Sequence, residues 1–155
     1  MDSQPLIETW QINNRINLYL LDAISAEYLD DMLVSKGRNV SSQFIHIHNV
    51  RLMWLAAAMP EALVDVGKID PKQAVDKKLL QAALSRSGEA IERLLLHATG
   101  NGGKVKGFKP HVTAFLCYLT AHDAHHRSQI IVALKQSGHP LDKKVLYGIW
   151  EWGTR

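Results

Sequence analysis

A chain of 155 residues with 46% hydrophobic and 21% charged side chains is long enough for a domain with its own core, and its composition is that of a soluble globular protein. The net charge of +3 comes from lysines and arginines scattered among acidic residues, so the clustered basic face of a nucleic-acid-binding protein is not expected. The single cysteine, Cys117, excludes an internal disulfide and a zinc site built from several thiolates.

The N-terminal decapeptide MDSQPLIETW lacks the basic region and the apolar region of a secretory signal. No apolar run approaches the roughly 20 residues that a membrane-spanning helix needs. We therefore expect a cytoplasmic protein with no membrane contact, folded as a single domain over residues 1–155.

Segments of helical period lie between clusters of glycine and proline. The first is predicted over residues 5–34, and its apolar stripe includes two asparagines, Asn13 and Asn17. The second is predicted over residues 39–59, where Asn39 is a favourable N-cap because its side chain can accept from a backbone N–H of the first turn.

The third helix is predicted to start at Asp70–Pro71, an aspartate cap followed by proline at the first helical position, where the missing N–H costs nothing. Its buried side is predicted to carry Leu80, Leu84, Ser87, Ile91, Leu94 and Ala98. The fourth helix is predicted from Lys109–Pro110 to Ser137, where Gly138 and Pro140 end it. Its stripe comprises Val112, Phe115, Leu119, His122, His126, Ile130 and Ala133.

No segment alternates apolar and polar side chains for long, so strands are not expected. Four long amphipathic helices and the short C-terminal segment LYGIWEW predict an all-α four-helix bundle. The first connection is short, whereas those over 60–70 and 99–109 are longer. The order of the helices around the bundle stays open on this evidence.

Eight histidines are present, and His122 and His126 are the pair with metal-ligand spacing. Residues four apart share one helix face, so two ring nitrogens can converge on an ion at about 2.0–2.1 Å. Both positions belong to the apolar stripe, where each imidazole needs a partner to offset its desolvation. Metal binding and hydrogen-bonded packing are both compatible with this pair.

The second helix offers a third ligand, His46 or His48, which are two residues apart and about 200° around a helix, so at most one can face the pair. Three neutral nitrogens suit zinc, nickel, iron or copper and leave positions for water or substrate. His125 is expected to point away from the site. Candidates to orient the ligands are Asp123, Gln129, Asn13, Asn17 and Asn49. Cap or surface roles are expected for His97, His111 and His139.

The run AHDAHHRSQI, followed by VALKQSGHPL, resembles the fourth-helix signature H-x-x-x-H-R-G-Q of the DinB/YfiT-like superfamily, with Ser128 in place of the usual glycine. FIHIHNVRLMWL resembles the second-helix signature of that family, a histidine followed eight residues later by tryptophan. This spacing corresponds to His46 and Trp54. LYGIWEWG resembles tails in one branch of the family, and the resemblance spans nearly the whole chain.

The resemblance implies a four-helix bundle with non-simple connectivity, often dimeric, that holds a divalent ion (zinc, nickel or iron) on His46, His122 and His126. His48 would replace His46 if the second helix were rotated, but the spacing to Trp54 favours His46. Some members of the family are transferases or isomerases that use a low-molecular-weight thiol.

We therefore expect a divalent-metal-dependent enzyme, a thiol S-transferase or a hydrolase, that acts as a homodimer on an unidentified small molecule. A metal-binding stress-response bundle without catalytic activity is the alternative, and a bundle whose histidines bind no ion is a third. Cys117 lies five residues before His122, off the histidine stripe, and is expected to be a small core residue.

Overall fold

The computed structural model describes residues 3–155 and is all-α apart from one short hairpin. The elements in chain order are α1 (Gln4–Ala23), α2 (Val40–Ala58), α3 (Lys77–Gly100), β1 (Lys104–Val105), β2 (Phe108–His111), α4 (Val112–Gln136) and α5 (Lys143–Gly148). Single 3-10 turns cover Ala26–Tyr28, Pro60–Leu63 and Trp152–Thr154. None of these helices has the length and apolarity that a membrane crossing requires.

The four long helices pack so that α1 and α2 each contact both α3 and α4. Helices α1 and α2, although consecutive in the chain, therefore stand at opposite corners of the bundle. Consecutive helices in a simple up-and-down bundle would be neighbours. The non-simple connectivity that the resemblance implied is thus present.

The second helix agrees with its prediction, because the Asn39 side chain accepts a 2.9 Å hydrogen bond from the backbone N–H of Ser42. The first helix was predicted to reach residue 34 but ends at Ala23, with Ile24 extended. The ammonium group of Lys77, at the start of α3, donates 2.8 Å hydrogen bonds to the carbonyls of Asp22 and Ile24. This tertiary contact satisfies backbone acceptors that a continued helix would have used internally.

The third helix was predicted to start six residues too early, and the fourth two to three residues too early. Asp70 does not cap α3 but closes a local turn by accepting from the N–H of Lys72 at 2.9 Å. Asp76 is the α3 cap, accepting from the N–H of Leu79 at 2.8 Å. Likewise α4 is capped by His111, whose Nδ1 lies 3.3 Å from the N–H of Ala114.

Strands were not expected, yet Lys104–Val105 pairs antiparallel with Phe108–His111. The intervening turn includes Gly107 at φ 85°, a left-handed conformation that glycine adopts without a Cβ penalty. Lys109 and Pro110, predicted as the opening of the fourth helix, belong to β2. The hairpin is too short for the alternation on which strand prediction relies.

Two apolar clusters fill the bundle, and a layer of buried polar side chains separates them. One cluster includes Leu20, Leu84 and Ile130, and the other includes Trp10, Leu55 and Leu119. Each long helix contributes to the polar layer at the point where it passes from one cluster to the other. We call this set the polar layer: Asn13, Asn17, Arg51, Ser87, Asp123 and Arg127.

Candidate metal centre

Three histidine side chains meet where α2 packs against α4, next to the polar layer. His46 projects from α2, and His122 and His126 lie one turn apart on α4. One ring nitrogen from each lies within 4.8 Å of the other two. His126 is 5% exposed, whereas His46 and His122 are half-buried. The cluster is therefore anchored in the bundle on one side and open to solvent on the other.

The spacing of the ring nitrogens fits a divalent ion. The Nε2 atoms of His46 and His122 are 3.3 Å apart. Two nitrogen ligands that bind a tetrahedral ion at about 2.0–2.1 Å lie roughly 3.3–3.4 Å apart. Within residues 3–155 no other histidine, cysteine or carboxylate joins this group of three. The chain's own ligands would thus leave a coordination position free.

The orientation of His126 is fixed by Gln43, which lies on α2 one turn before His46. Nδ1 of His126 donates to the Gln43 side-chain oxygen across 2.7 Å, and both side chains are buried. Because Nδ1 carries the proton, Nε2 is left with the lone pair that a metal ligand needs. Sequence reasoning missed Gln43, although its three-residue spacing from His46 places it on the same face of α2.

Asp123 connects the histidine cluster to the polar layer. Its Oδ2 accepts 2.8 Å hydrogen bonds from Asn13, Asn17 and Arg51. Burial would raise the pKa of the Asp123 carboxyl, but the Arg51 charge, the neighbouring His122 ring and the hydrogen bonds from Arg51 and Asn17 hold that pKa well below its usual range. Asp123 is therefore ionised. Its carboxylate lies beneath the ring of His122, the residue that precedes it in the chain.

His46 and His126 are neutral at physiological pH. Burial is the largest cause that lowers the pKa of each ring to about 4. The Arg38 guanidinium, in the loop before α2, and the neighbouring histidines lower both values further. Neutral imidazole is the form that binds metal ions, so no proton has to be displaced from these two rings at pH 7.

His48 lies outside the cluster and serves the packing of α2. Its ring is 2% exposed, with Nδ1 3.0 Å from the Ala83 carbonyl and Nε2 2.9 Å from the Gly67 carbonyl. Burial lowers the pKa of His48, so the ring is neutral and donates to one carbonyl at a time. The rotated arrangement, with His48 in the place of His46, is not the one observed.

The remaining histidines occupy the peripheral positions expected for them. His125 is exposed and contacts Gln129, His111 caps α4, and His97 contacts Asn101. His139, after α4, pairs with Asp31 at 2.7 Å and stacks on Tyr28.

Of the candidates to orient the ligands, Asp123, Asn13 and Asn17 lie beneath the cluster. Gln129 is engaged with His125, and Asn49 bonds to the backbone of Ile69, so neither has that role. Cys117 was expected to be a small core residue, but it is exposed.

A set of four aromatic side chains extends from the histidine cluster to the hairpin. Tyr118 stacks near His122 at a centroid distance of 6.4 Å. Trp54 and Phe108 each lie 5.7 Å from Tyr118, and Phe115 packs edge-on against Trp54 at 5.4 Å. Tyr118 is 37% exposed, so this group offers an apolar surface next to the open side of the histidines.

Comparison with known proteins identifies one family. The sequence model of the DinB family matches residues 1–143 of the 155, which include all four long helices and the three clustered histidines. No curated protein and no solved structure shows significant similarity to the chain.

Proposed function

Because the chain belongs to the DinB family, we propose that it binds one divalent metal ion through His46, His122 and His126 and uses that ion in catalysis. The observation that carries this proposal is the convergence of three ring nitrogens within 4.8 Å, two of them at the separation expected for ligands of one ion. Gln43 and the polar layer fix the groups around the site before any ion arrives.

A catalytic role is favoured over a structural one by the number of protein ligands. Structural ions are enclosed by four protein ligands, whereas catalytic ions keep a position for water or substrate. The cluster supplies three ligands, and two of them are half-buried with access to solvent. A bound ion supplies a positive charge that lowers the pKa of a thiol or a water molecule at the free position.

The surrounding charges favour an anionic group at that position. Arg51 and Arg127 are buried beneath the cluster, and Asp123 is the one carboxylate among the polar-layer side chains. Arg38 adds a further positive charge that acts on His46 and His126. Charges in a low-dielectric interior act strongly on one another, so the one excess positive charge of Arg51 and Arg127 over Asp123 stabilises an anionic ligand such as a thiolate. Arg38, in contrast, is exposed and contributes less.

The reaction we propose is the transfer of a low-molecular-weight thiol to an electrophilic carbon. The thiol loses its proton to solvent, the sulfur lone pair forms the new carbon–sulfur bond, and the leaving group departs with the bonding electrons. The aromatic group of Trp54, Phe108 and Tyr118 provides an apolar surface for the electrophile. The thiol-dependent relatives implied by the sequence resemblance support this reaction class.

Metal analysis tests the binding part of the proposal. Untagged wild-type protein, purified without chelator or reconstituted with Zn²⁺, Ni²⁺ or Fe²⁺, should contain about one ion per chain, and His126→Ala should contain none, because a group of three ligands would fall to two. His125→Ala is the matched control, since His125 is exposed and lies outside the group of three, although its ring contacts Gln129 and packs edge-on against His126 at 5.0 Å. Wild type that takes up none of these ions would contradict the proposal.

Conjugation assays test the catalytic part. Metal-loaded protein, incubated with glutathione, cysteine or another small thiol and a chromogenic electrophile, should form conjugate faster than protein treated with chelator. The rate difference should vanish in His126→Ala and persist in His125→Ala. Stoichiometric metal without conjugation of any thiol would instead favour a metal-binding bundle that has no catalytic role.

A further inference from the structure

Two buried polar atoms face each other beneath the histidine cluster and have no hydrogen-bond partner in residues 3–155. They are Oδ1 of Asp123 and Nδ1 of His122, and they lie 3.6 Å apart. The side chain of Asp123 is 1% exposed and that of His122 is 16% exposed. Buried polar atoms are almost always satisfied, and 3.6 Å is slightly too long for a hydrogen bond. A small rotation of the His122 ring would bring the two atoms within hydrogen-bond distance.

The carboxylate of Asp123 is held so that Oδ1 is the free oxygen. The three donors from Asn13, Asn17 and Arg51 all reach Oδ2. Arg127, which can only donate, contacts the side-chain oxygens of Asn13 at 3.0 Å and Asn17 at 2.7 Å. Each asparagine must therefore turn its NH₂ group towards Asp123, so the donors around Oδ2 are fixed in orientation.

Arg51 is fixed as firmly as the asparagines. One terminal nitrogen contacts the side-chain oxygen of Asn14 at 2.8 Å and Oγ of Ser87 at 3.3 Å, and the other donates to Asp123. The guanidinium also lies over the Trp10 ring at 4.8 Å. Asp123 belongs to α4, but its carboxylate is held by side chains from α1, α2 and α3. We call these supporting side chains the platform.

We infer that Asp123 is a positioning residue for the metal centre: its free Oδ1 accepts the Nδ1 proton of His122 and so directs Nε2 of that ring to the ion. The inference rests on the proposed metal function of the same site. A carboxylate in this place fixes the tautomer of the ring and raises its basicity as a ligand. Gln43 has the same geometric role for His126 but is neutral, so the two ligands on α4 are supported unequally.

The substitution Asp123→Asn gives a sharp test because the platform dictates how the new amide sits. Three donors surround the Oδ2 position, so the amide oxygen takes that place and the NH₂ group faces Nδ1 of His122. A donor in that place favours the ring tautomer with its proton on Nε2, the atom assigned to the ion. We expect Zn²⁺ affinity, measured by competition with a chromophoric chelator, to fall by about 10–100-fold.

Asp31→Asn is the matched control, because Asp31 is also an aspartate paired with a histidine, His139 at 2.7 Å, and this pair lies outside the polar layer and the group of three histidines. Its Zn²⁺ affinity should equal that of wild type. A folded Asp123→Asn protein that also binds Zn²⁺ as wild type does would overturn the inference while leaving the proposed function intact. Wild type that binds no Zn²⁺, Ni²⁺ or Fe²⁺ would overturn the proposed function and this inference with it.

The ring nitrogens of His122 give a second readout that does not depend on whether the variant folds. Nitrogen-15 NMR of the zinc-loaded wild-type protein should find Nδ1 of His122 protonated and Nε2 bound. Because the measurement uses the wild-type protein, a loss of stability in the Asp123→Asn variant cannot affect it. An unprotonated Nδ1 in His122 of the loaded wild type would overturn the inference.

Discussion

Replacing Arg51 with methionine should lower the free energy of unfolding by about 3–5 kcal/mol, the cost of removing one partner of a buried ion pair. The Arg51 and Asp123 side chains are each 1% exposed and lie 2.8 Å apart. Methionine matches the apolar stem of arginine but leaves the Asp123 carboxylate buried without its closest cation. Urea unfolding of the metal-free protein, followed by circular dichroism, measures the change.

Arg86→Met provides the control for this experiment, because Arg86 is an exposed residue on the same bundle. Surface substitutions of this kind usually change stability by no more than about 0.5 kcal/mol. The double variant Arg51→Met with Asp123→Leu should recover part of the loss, since it removes the stranded charge as well. An Arg51→Met protein as stable as wild type would contradict the assigned role of the pair.

The substitution His46→Ala should weaken metal binding and His48→Ala should weaken stability, although the two residues are only two positions apart. His46→Ala should lower Zn²⁺ affinity by more than about 100-fold, the upper end of what the loss of an indirect partner costs, because it removes a ligand outright. It should leave the stability of the metal-free protein close to that of wild type, since His46 is half-buried.

His48→Ala should retain metal but unfold more easily. Removing this buried side chain deprives the carbonyl of Gly67 or Ala83 of a donor, which costs about 0.5–1.5 kcal/mol, and the cavity that the ring leaves adds to the loss. Zn²⁺ competition and urea unfolding, applied to both variants, separate the two effects. Loss of metal from His48→Ala with full binding by His46→Ala would mean that α2 is rotated relative to the observed structure.

The amino-acid sequence alone was sufficient to predict the helices and their buried faces. The stripe from Leu80 to Ala98 on the third helix is buried as predicted, because period 3.6 in apolar residues reports the buried face of a helix whatever it packs against. The cap at Asn39 also followed from local chemistry. The all-α fold followed from these patterns, whereas the family followed from the resemblance of the second- and fourth-helix motifs; the helical structure and the family match confirm them.

Helix ends depended on contacts that are distant in the chain. The first helix stops at Ala23, where Lys77, more than fifty residues away, donates to the carbonyls of Asp22 and Ile24. The stripe continues to Tyr28 in the sequence, so periodicity alone extended the helix too far. Similarly, Asp70 and Asp76 both have cap chemistry, and which of them starts α3 is not encoded in either residue alone.

For the candidate site, the spacing of His122 and His126 came from the sequence, and the choice of His46 over His48 came from the resemblance to a family signature in which a histidine precedes a tryptophan by eight residues. What only the tertiary structure decided is the support of those rings. The supporting side chains come from helices that the sequence cannot place relative to one another. They are Asn13 and Asn17 on α1 and Gln43 and Arg51 on α2. A periodic pattern fixes which face of a helix is buried, but the partners of a buried polar atom depend on the order and rotation of the other three helices. That order sets α1 and α2 at opposite corners, so that both can reach α4 at Asp123.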